Sequence, residues 1–176
     1  LLAILAGSEN EVFTDAERMS TIASENSGLE PSIAERRDEQ ESILKIRSNI
    51  YTALKPQYGD ILDTTVPPSK IGNLAEIIDA VSEKYSAYIP VYGHAADGNV
   101  HSHVMKKDLE KYDKIKEEIY KASIELGGVI TGEHGIGKIR VKELHKFLPA
   151  KQIELMRQIK KAFDPNNILN PSTVLD

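Results

Sequence analysis

The chain has 176 residues, of which 40% are hydrophobic and 28% are charged, a balance typical of a globular domain rather than a disordered segment. Its formal net charge of -5, without any basic run, excludes the charge pattern of a nucleic-acid-binding protein. The absence of cysteine excludes disulfides and thiolate metal ligands. No apolar stretch is long enough to cross a bilayer and no signal peptide is visible, so we expect a cytoplasmic protein.

The first third of the chain predicts one strand and two helices. Residues 1–6 form an apolar run that we interpret as a strand entered at its first residue, which suggests a fragment cut from a longer protein. Apolar residues at helical spacing predict a helix over residues 10–24, and a glycine and a proline indicate a loop over residues 25–32. A long helix is predicted over residues 35–54.

The rest of the chain alternates between strands and helices. The apolar pattern predicts a strand over residues 62–66, a helix from Pro68 to Tyr85, a hairpin over residues 88–105, and helices over residues 109–126 and 153–163. Pro68 suits a first helical turn because its missing N–H has no partner there, and Gly127-Gly128 ends the next helix. This order predicts an α+β fold, an antiparallel sheet with helices packed on one face.

The predicted hairpin carries two histidines that the turn brings together. Asp97-Gly98 favours a two-residue type I′ turn, because both of its central positions need a positive φ. Such a turn places His94 directly opposite His101, with Cβ atoms about 4.5–5.5 Å apart, close enough for both imidazoles to bind one metal ion. The alternative is a pair of hydrogen-bonded or exposed histidines at a sheet edge. A wider turn would change the register and keep the two histidines near each other.

A glycine-rich stretch over residues 132–137 is the second candidate for chemistry. Its glycines let the backbone approach a ligand closely. Glu133 is then a third, oxygen ligand for the metal, and His134 is a candidate general base. The alternative is a polar glycine loop without chemistry.

Arg47 is the third candidate. It falls on the apolar stripe that Ile43, Ile50 and Leu54 define along their helix. A guanidinium at that position must reach solvent or meet an anion, because burying it unpaired is costly. A substrate carboxylate would satisfy it in a bidentate pair, and so would an acidic side chain of the same chain.

Three segments, in order, resemble the motifs of one family. Residues 93–101 are similar to a Gly-His-x-Gly-Asp-Gly-Asn-x-His signature, residues 132–137 to Glu-His-Gly-[Ile/Val]-Gly, and residues 163–171 to Asp-Pro-x-x-Ile-Leu-Asn-Pro. The chain resembles the C-terminal domain of FAD-linked oxidases in the vanillyl-alcohol oxidase/para-cresol methylhydroxylase superfamily. Within it, the chain is most similar to the branch of the glycolate oxidase FAD subunit and of D-lactate or D-2-hydroxyglutarate dehydrogenases.

The resemblance implies a ferredoxin-like cap over the flavin of a longer protein, spanning residues 1–176. Residues 1–142 would form the sheet and helices of the cap, and residues 143–176 a helix and tail that return toward the flavin. The FAD pyrophosphate-binding domain, normally N-terminal to the cap, and the start of the cap itself are not in this sequence.

The resemblance also implies roles for individual residues. His94, His101 and Glu133 would hold a divalent ion such as zinc, and His134 would take the proton of the substrate hydroxyl. Arg47 would bind the substrate carboxylate, and Asn99 would contact the substrate or the flavin. Asn170 and, in addition to its metal role, Glu133 would bind the flavin cofactor.

Two positions depart from the family pattern. Ala96 replaces the first turn glycine, so the loop before Asp97 is expected to differ slightly. Ile61 stands where relatives that bind a second carboxylate have a lysine, which favours a monocarboxylate such as glycolate or lactate.

We therefore predict the substrate-binding part of an FAD-dependent 2-hydroxy acid dehydrogenase or oxidase. Its partners would be a small 2-hydroxy acid, the FAD-binding domain of the same parent and an electron acceptor. A homodimer and a peripheral membrane association of the parent are both compatible with the resemblance. A metal-dependent hydrolase and a non-catalytic α+β assembly domain are the alternatives, and the isolated chain is expected to bind FAD poorly.

Overall fold

The structure is a computed structural model that describes residues 1–29 and 31–175. These residues divide into two compact units, Leu1–Ala53 and Leu54–Asp176. The loop predicted over residues 25–32 includes Glu30, which lies outside the described residues.

The first unit contains two helices, α1 (Glu9–Glu25) and α2 (Arg37–Leu54), the latter ending at the boundary between the units. Both confirm the predicted helices to within two residues at each end. Helix α1 begins where the Glu11 carboxylate accepts the backbone N–H of Ser8 at 2.8 Å. The strand predicted over residues 1–6 is wrong: this run forms no regular element. A strand needs a partner that pairs its N–H and C=O groups, and apolar composition alone does not supply one.

The second unit is built on an antiparallel sheet of three strands: β1 (Tyr58–Thr65), β2 (Val91–His94) and β3 (Asn99–Met105), in the order β1-β3-β2. Beyond the three strands, Val129 pairs with Thr65 on the free edge of β1. Residue 129 therefore takes the place of a fourth strand in a ferredoxin-like β-α-β-β-α-β order. The expected α+β fold with an antiparallel sheet is confirmed.

Four helices complete the second unit: α3 (Ile71–Tyr85), α4 (Tyr112–Glu125), α5 (Val141–Phe147) and α6 (Ala150–Phe163). Short 3₁₀ turns at Pro68–Lys70 and Lys106–Lys111 precede α3 and α4. Gly127 ends α4 with a φ of 83°, and the N–H of Gly128 reaches back to the carbonyl of Ser123 at 2.8 Å. None of the described helices has both the length and the hydrophobicity that a membrane span requires.

Helix α5 was not predicted, because its seven residues are too few to show a helical period. The predicted division of the chain between residues 142 and 143 falls within this helix. That division stays a prediction, and the two compact units of the structure are separated between Ala53 and Leu54.

The core of the second unit lies between one face of the sheet and the helices. Its buried side chains come from the strands and from α3, α4 and α5: Leu62, Val100, Val104, Leu74, Ile78, Ile115, Ile119 and Leu144. Met156 of α6 packs against this core. One face of the sheet is thus apolar and covered by helices, which leaves the other face for polar side chains.

The predicted register of the hairpin is wrong. His94 pairs with Asn99, and Tyr92, not His94, faces His101. Residues 95–98 form a four-residue loop in which only Gly98, at φ 81°, adopts a positive φ, so the type I′ turn does not form. The Asp97 carboxylate instead accepts the N–H of Asn99 at 3.1 Å and stabilises the wider loop.

Candidate active site

The face of the sheet opposite the core is polar and nevertheless buried. We call it the polar sheet face, and it comprises Asp63 on β1, Tyr92 on β2, and Asn99, His101 and His103 on β3. Residues 99, 101 and 103 alternate with the core residues of β3, and Asp63 and Tyr92 both pair with His101. Asp63, Asn99, His101 and His103 are at most 5% exposed.

The structure brings His94, His101 and Glu133 together despite the changed register. His94 and His101 are diagonal neighbours on the same face, with ring centroids 5.8 Å apart. Nε2 of His101 lies 3.3 Å from Oε1 of Glu133. One ligand atom from each of the three residues lies within 4.8 Å of the other two. The two histidines remain close because a register shift of two residues keeps both side chains on the same face of the sheet.

His134 lies beside this cluster, on the glycine-rich loop that follows residue 131. Its ring stacks on that of His101, with centroids 5.1 Å apart and an angle of 20° between the planes. The side chains of Glu133 and His134 are about half exposed, whereas that of His101 is buried. The cluster therefore has a buried floor and an open side.

Asp63 lies at the centre of the site, and it was not among the residues predicted from the sequence. Its Oδ1 accepts the Nδ2–H of Asn99 at 2.7 Å. Its Oδ2 accepts the backbone N–H groups of Gly132 at 3.0 Å and His134 at 2.7 Å. The available signal was an acidic residue that directly follows two apolar residues and lies inside a predicted strand, because a buried carboxylate needs such donors.

Gly132 is required by this contact. A Cβ at this position would lie 1.9 Å from Nδ2 of Asn99 and 2.7 Å from Oδ1 of Asp63. Only a glycine lets the loop approach the sheet closely enough for both backbone donors to reach the carboxylate.

Burial and hydrogen bonding set the pKa values on the polar sheet face. Burial raises the pKa of Asp63, but the hydrogen bonds from the His134 backbone and from Asn99 outweigh it, so the pKa is lowered. Burial lowers the pKa of His101 more than the neighbouring carboxylates raise it. Burial also lowers the pKa of His103 to about 4. Both imidazoles are therefore neutral near neutral pH, as a metal ligand must be.

Asn99 lies in the site, and its amide nitrogen is engaged within the protein. Besides Asp63, its Nδ2 lies 3.3 Å from both the Thr64 carbonyl and Oγ1 of Thr65. Its Oδ1 is buried without a hydrogen-bond partner among the described residues. Contact of Asn99 with substrate or flavin stays a prediction.

Asn170 lies in the C-terminal tail, where it adopts a φ of 47°. The Asp164 carboxylate holds this tail by accepting the N–H groups of Ile168 and Leu169, each at 2.9 Å. Farther along, Val174 donates its N–H to the carbonyl of Gly137 at 2.9 Å, so the tail returns to the glycine-rich loop.

Arg47 lies on α2, in the first unit, with an exposed side chain. No residue of α2 is buried within the described part of the chain. The other candidate site residues belong to the second unit. The contact between Arg47 and a substrate carboxylate stays a prediction.

Arg140 fastens the far end of the glycine-rich loop to β1. Its guanidinium donates to Oδ2 of Asp60 at 2.6 Å, to the carbonyl of Ile61 at 3.0 Å and to the hydroxyl of Tyr112 at 2.6 Å. The loop that carries Glu133 and His134 is therefore held at both ends, by Asp63 and by Arg140.

Comparison with known proteins places the chain in a family. The model of the FAD linked oxidases, C-terminal domain, matches residues 1–174. D-lactate dehydrogenase of Archaeoglobus fulgidus is 40% identical over 167 residues, which cover 94% of this chain and 38% of that protein. The glycolate oxidase subunit GlcD of Bacillus subtilis is 37% identical over 166 residues, which cover 89% of this chain and 35% of that subunit.

The α+β fold and its polar sheet face define a domain in which histidines and carboxylates converge beside the sheet. The chain belongs to the family of C-terminal domains of FAD-linked oxidases, and the resemblance predicted from its three motifs is confirmed. It spans about a third to two fifths of the length of these curated relatives.

Proposed function

We propose that the protein containing this chain oxidises a 2-hydroxy acid of the glycolate or D-lactate type to the 2-oxo acid, with FAD as the electron acceptor. The observation that carries the proposal is the convergence of His94, His101, Glu133 and His134 at one open site. Family membership and the names of the relatives support the flavin and the class of substrate. The chain would supply the part that binds the substrate.

A divalent ion such as zinc fits the donors that the site presents. Two imidazoles and a carboxylate form a common zinc-binding set, and their ligand atoms lie within 4.8 Å of one another. Ligands at about 2.1 Å from an ion lie roughly 3–4 Å apart, so a small closing movement would suffice. When bound, such an ion would supply positive charge that lowers the pKa of the substrate hydroxyl.

Each side chain then has one task. His134, half exposed beside the cluster, would accept the hydroxyl proton, a role suited to an imidazole near neutral pH. Arg47 would hold the substrate carboxylate in a bidentate pair. Asn99 would present its unpaired Oδ1 toward the ligand, since its nitrogen is engaged with Asp63.

The flavin is proposed to lie over the open side of the glycine-rich loop. Gly135 and Gly137 adopt positive φ values of 73° and 53°, and a Cβ at either position would meet no atom within 4 Å. This leaves room for a large planar group beside Glu133. Asn170 would contact the same group from the tail that returns to Gly137. The rest of the FAD would bind to the remainder of the parent protein.

We further propose a cytoplasmic parent whose chemistry takes place between this chain and its FAD-binding domain. Residues 1–142 would supply the sheet and helices of the cap, and residues 143–176 the helix and tail on the flavin side. A homodimer is compatible with this arrangement.

The test uses the full-length parent. Turnover of glycolate, D-lactate and larger 2-hydroxy acids with an artificial electron acceptor should be measured together with the metal content. We expect oxidation of a short monocarboxylate and about one divalent ion per chain. Flavin-free protein that hydrolyses esters or amides would instead favour a metal-dependent hydrolase, which the same His-His-Glu donors permit.

Glu133→Gln tests the proposed metal site by a substitution at a single ligand. We expect the variant to lose bound metal and turnover together, because it removes the charged ligand. Glu110→Gln, the same change at an exposed position, is the matched control and should keep both. Retention of metal and activity by Glu133→Gln would contradict the proposed site.

A further inference from the structure

His101 occupies a position in which its two ring nitrogens face different carboxylates. Nδ1 lies 3.5 Å from Oδ1 of Asp63, and Nε2 lies 3.3 Å from Oε1 of Glu133. The side chains of His101 and Asp63 are only 4% and 5% exposed, whereas that of Glu133 is 55% exposed. Nδ1 is fully buried and makes no hydrogen bond with the described residues. Nδ1 therefore has one fixed neighbour, the carboxylate of Asp63, and Nε2 faces the open side of the site.

Asp63 is itself held in place by the protein. Together with His101 and His134 it forms a second group of three whose ligand atoms lie within 4.8 Å of one another. However, its two oxygens already accept hydrogen bonds from Asn99, Gly132 and His134. A carboxylate occupied in this way is better suited to orient a neighbouring ring than to bind an ion.

The chemistry of a neutral imidazole decides what this arrangement does. One ring nitrogen carries the proton and the other carries a lone pair. With the proton on Nδ1, His101 can donate to Oδ1 of Asp63 after a small rotation of the ring. With the proton on Nε2, the lone pair of Nδ1 would face a buried carboxylate, an unfavourable contact of two acceptors away from water.

We infer that Asp63 is a positioning residue that holds His101 in the tautomer protonated on Nδ1. The lone pair of Nε2 is thereby directed toward Glu133 and His94. That this lone pair serves a metal rests on the proposed function, whereas the tautomer does not. The same carboxylate fixes the backbone of the loop that carries Glu133 and His134, so one buried charge sets the geometry of both sides of the site.

The tautomer can be read directly by NMR on the full chain. Protein labelled with ¹⁵N-histidine and freed of metal with a chelator should be recorded near neutral pH, using two-bond ¹H–¹⁵N correlations of the imidazole rings. His101 is assigned by its loss in His101→Gln. We expect the pattern of a neutral ring protonated on Nδ1.

Asp63→Asn tests the cause of the tautomer. We expect the Nδ1-protonated population of His101 to fall, because the amide no longer offers a charged acceptor. Asp60→Asn, the same change on the same strand at the Arg140 contact, should leave the His101 pattern unchanged. Circular dichroism of both variants checks that they are folded.

A wild-type His101 protonated on Nε2 would overturn the inference, even if Asp63→Asn fails to fold. An unchanged Nδ1 pattern in folded Asp63→Asn would also overturn it. Zinc titration gives a second readout, in which Asp63→Asn should bind about 10–100-fold more weakly than wild type. A wild-type chain that shows the Nδ1 pattern and binds no zinc supports the inference about Asp63 and contradicts the metal part of the proposed function.

Discussion

The two faces of the sheet in the second unit are built from the same strands but carry different side chains, apolar on one face and polar on the other. On β3, Val100 and Val104 face the helices, while His101 and His103 alternate with them on the polar sheet face. Both faces are buried, so exposure does not distinguish them. The apolar face is stabilised by packing. The polar sheet face contains ring nitrogens of both histidines that lack a partner among the described residues.

Under the proposed function, this difference separates the residues that stabilise the fold from those that carry the chemistry. Burying an unpaired polar group costs free energy, which the hydrophobic contacts on the other face must offset. Changes on the polar sheet face should therefore affect catalysis and pH dependence. Changes on the apolar face should affect the free energy of unfolding.

The largest effect is expected from His134→Gln in the full-length parent. Removal of the general base that we propose should lower turnover by about 10²–10⁴-fold, while the free energy of unfolding should change little because the side chain is half exposed. Steady-state kinetics with the best 2-hydroxy acid measures the effect. His145→Gln, on the exposed side of α5, is the matched control. Equal turnover in both variants would remove His134 from the mechanism.

On the apolar face, Leu62→Ala should lower the free energy of unfolding by about 2–5 kcal/mol, since it leaves a cavity among fully buried side chains. Urea denaturation of the 176-residue chain measures this loss. Leu155→Ala, at a position 46% exposed on α6, should cost much less. If zinc affinity in folded Leu62→Ala fell as strongly as stability, the two faces would not be independent.

His103 should make the stability of the chain depend on pH. Its pKa is lowered from 6.5 in the unfolded chain to about 4 in the fold, so the unfolded state binds the proton first as the pH falls. The folded state thus loses up to about 3 kcal/mol between those two values, and it keeps this stability above them. His103→Leu should flatten this part of the pH profile.

Urea denaturation at several pH values compares His103→Leu with wild type and with His145→Leu. His101, whose pKa is also lowered, contributes in the same direction in all three proteins. A wild-type profile that is flat below the ordinary pKa of histidine would show that His103 takes up its proton in the fold without cost.

The smallest effect is expected from Ser102→Ala. Ser102 is fully buried on the apolar face, opposite Leu62, and its Oγ has no hydrogen-bond partner among the described residues. Removing an unsatisfied hydroxyl should raise the free energy of unfolding by up to about 1 kcal/mol. Thermal denaturation measures the change. A clear loss of stability would show that the hydroxyl is satisfied, for example by a bound water.

Sequence reasoning succeeded where a short-range pattern carries the information. Apolar periodicity predicted α1, α2, α3, α4 and α6. The Gly127-Gly128 stop of α4 was also correct, because a left-handed helix end needs a glycine. Helix α5 was missed because its seven residues are too few to show a helical period.

The same reasoning failed where the outcome depends on a distant partner. Asp97-Gly98 favours a two-residue turn, yet Gly98 also accepts the N–H of Val66 at 3.0 Å, and a Cβ on it would lie 1.8 Å from the Val66 carbonyl. The loop is thus packed against the end of β1, and this contact accompanies the wider turn. Asp63 was overlooked for the same reason, since its donors lie about 36 to 71 residues away along the chain.

By itself, the sequence determined the family, the fold class and the residue types of the site, because motifs and periodicity are properties of neighbouring residues. Only the tertiary structure decided that Tyr92 faces His101 and that Asp63 holds the loop carrying Glu133 and His134. Strand register and buried hydrogen bonds join residues that are far apart in the chain. These interactions contribute to stability only once the sheet has formed.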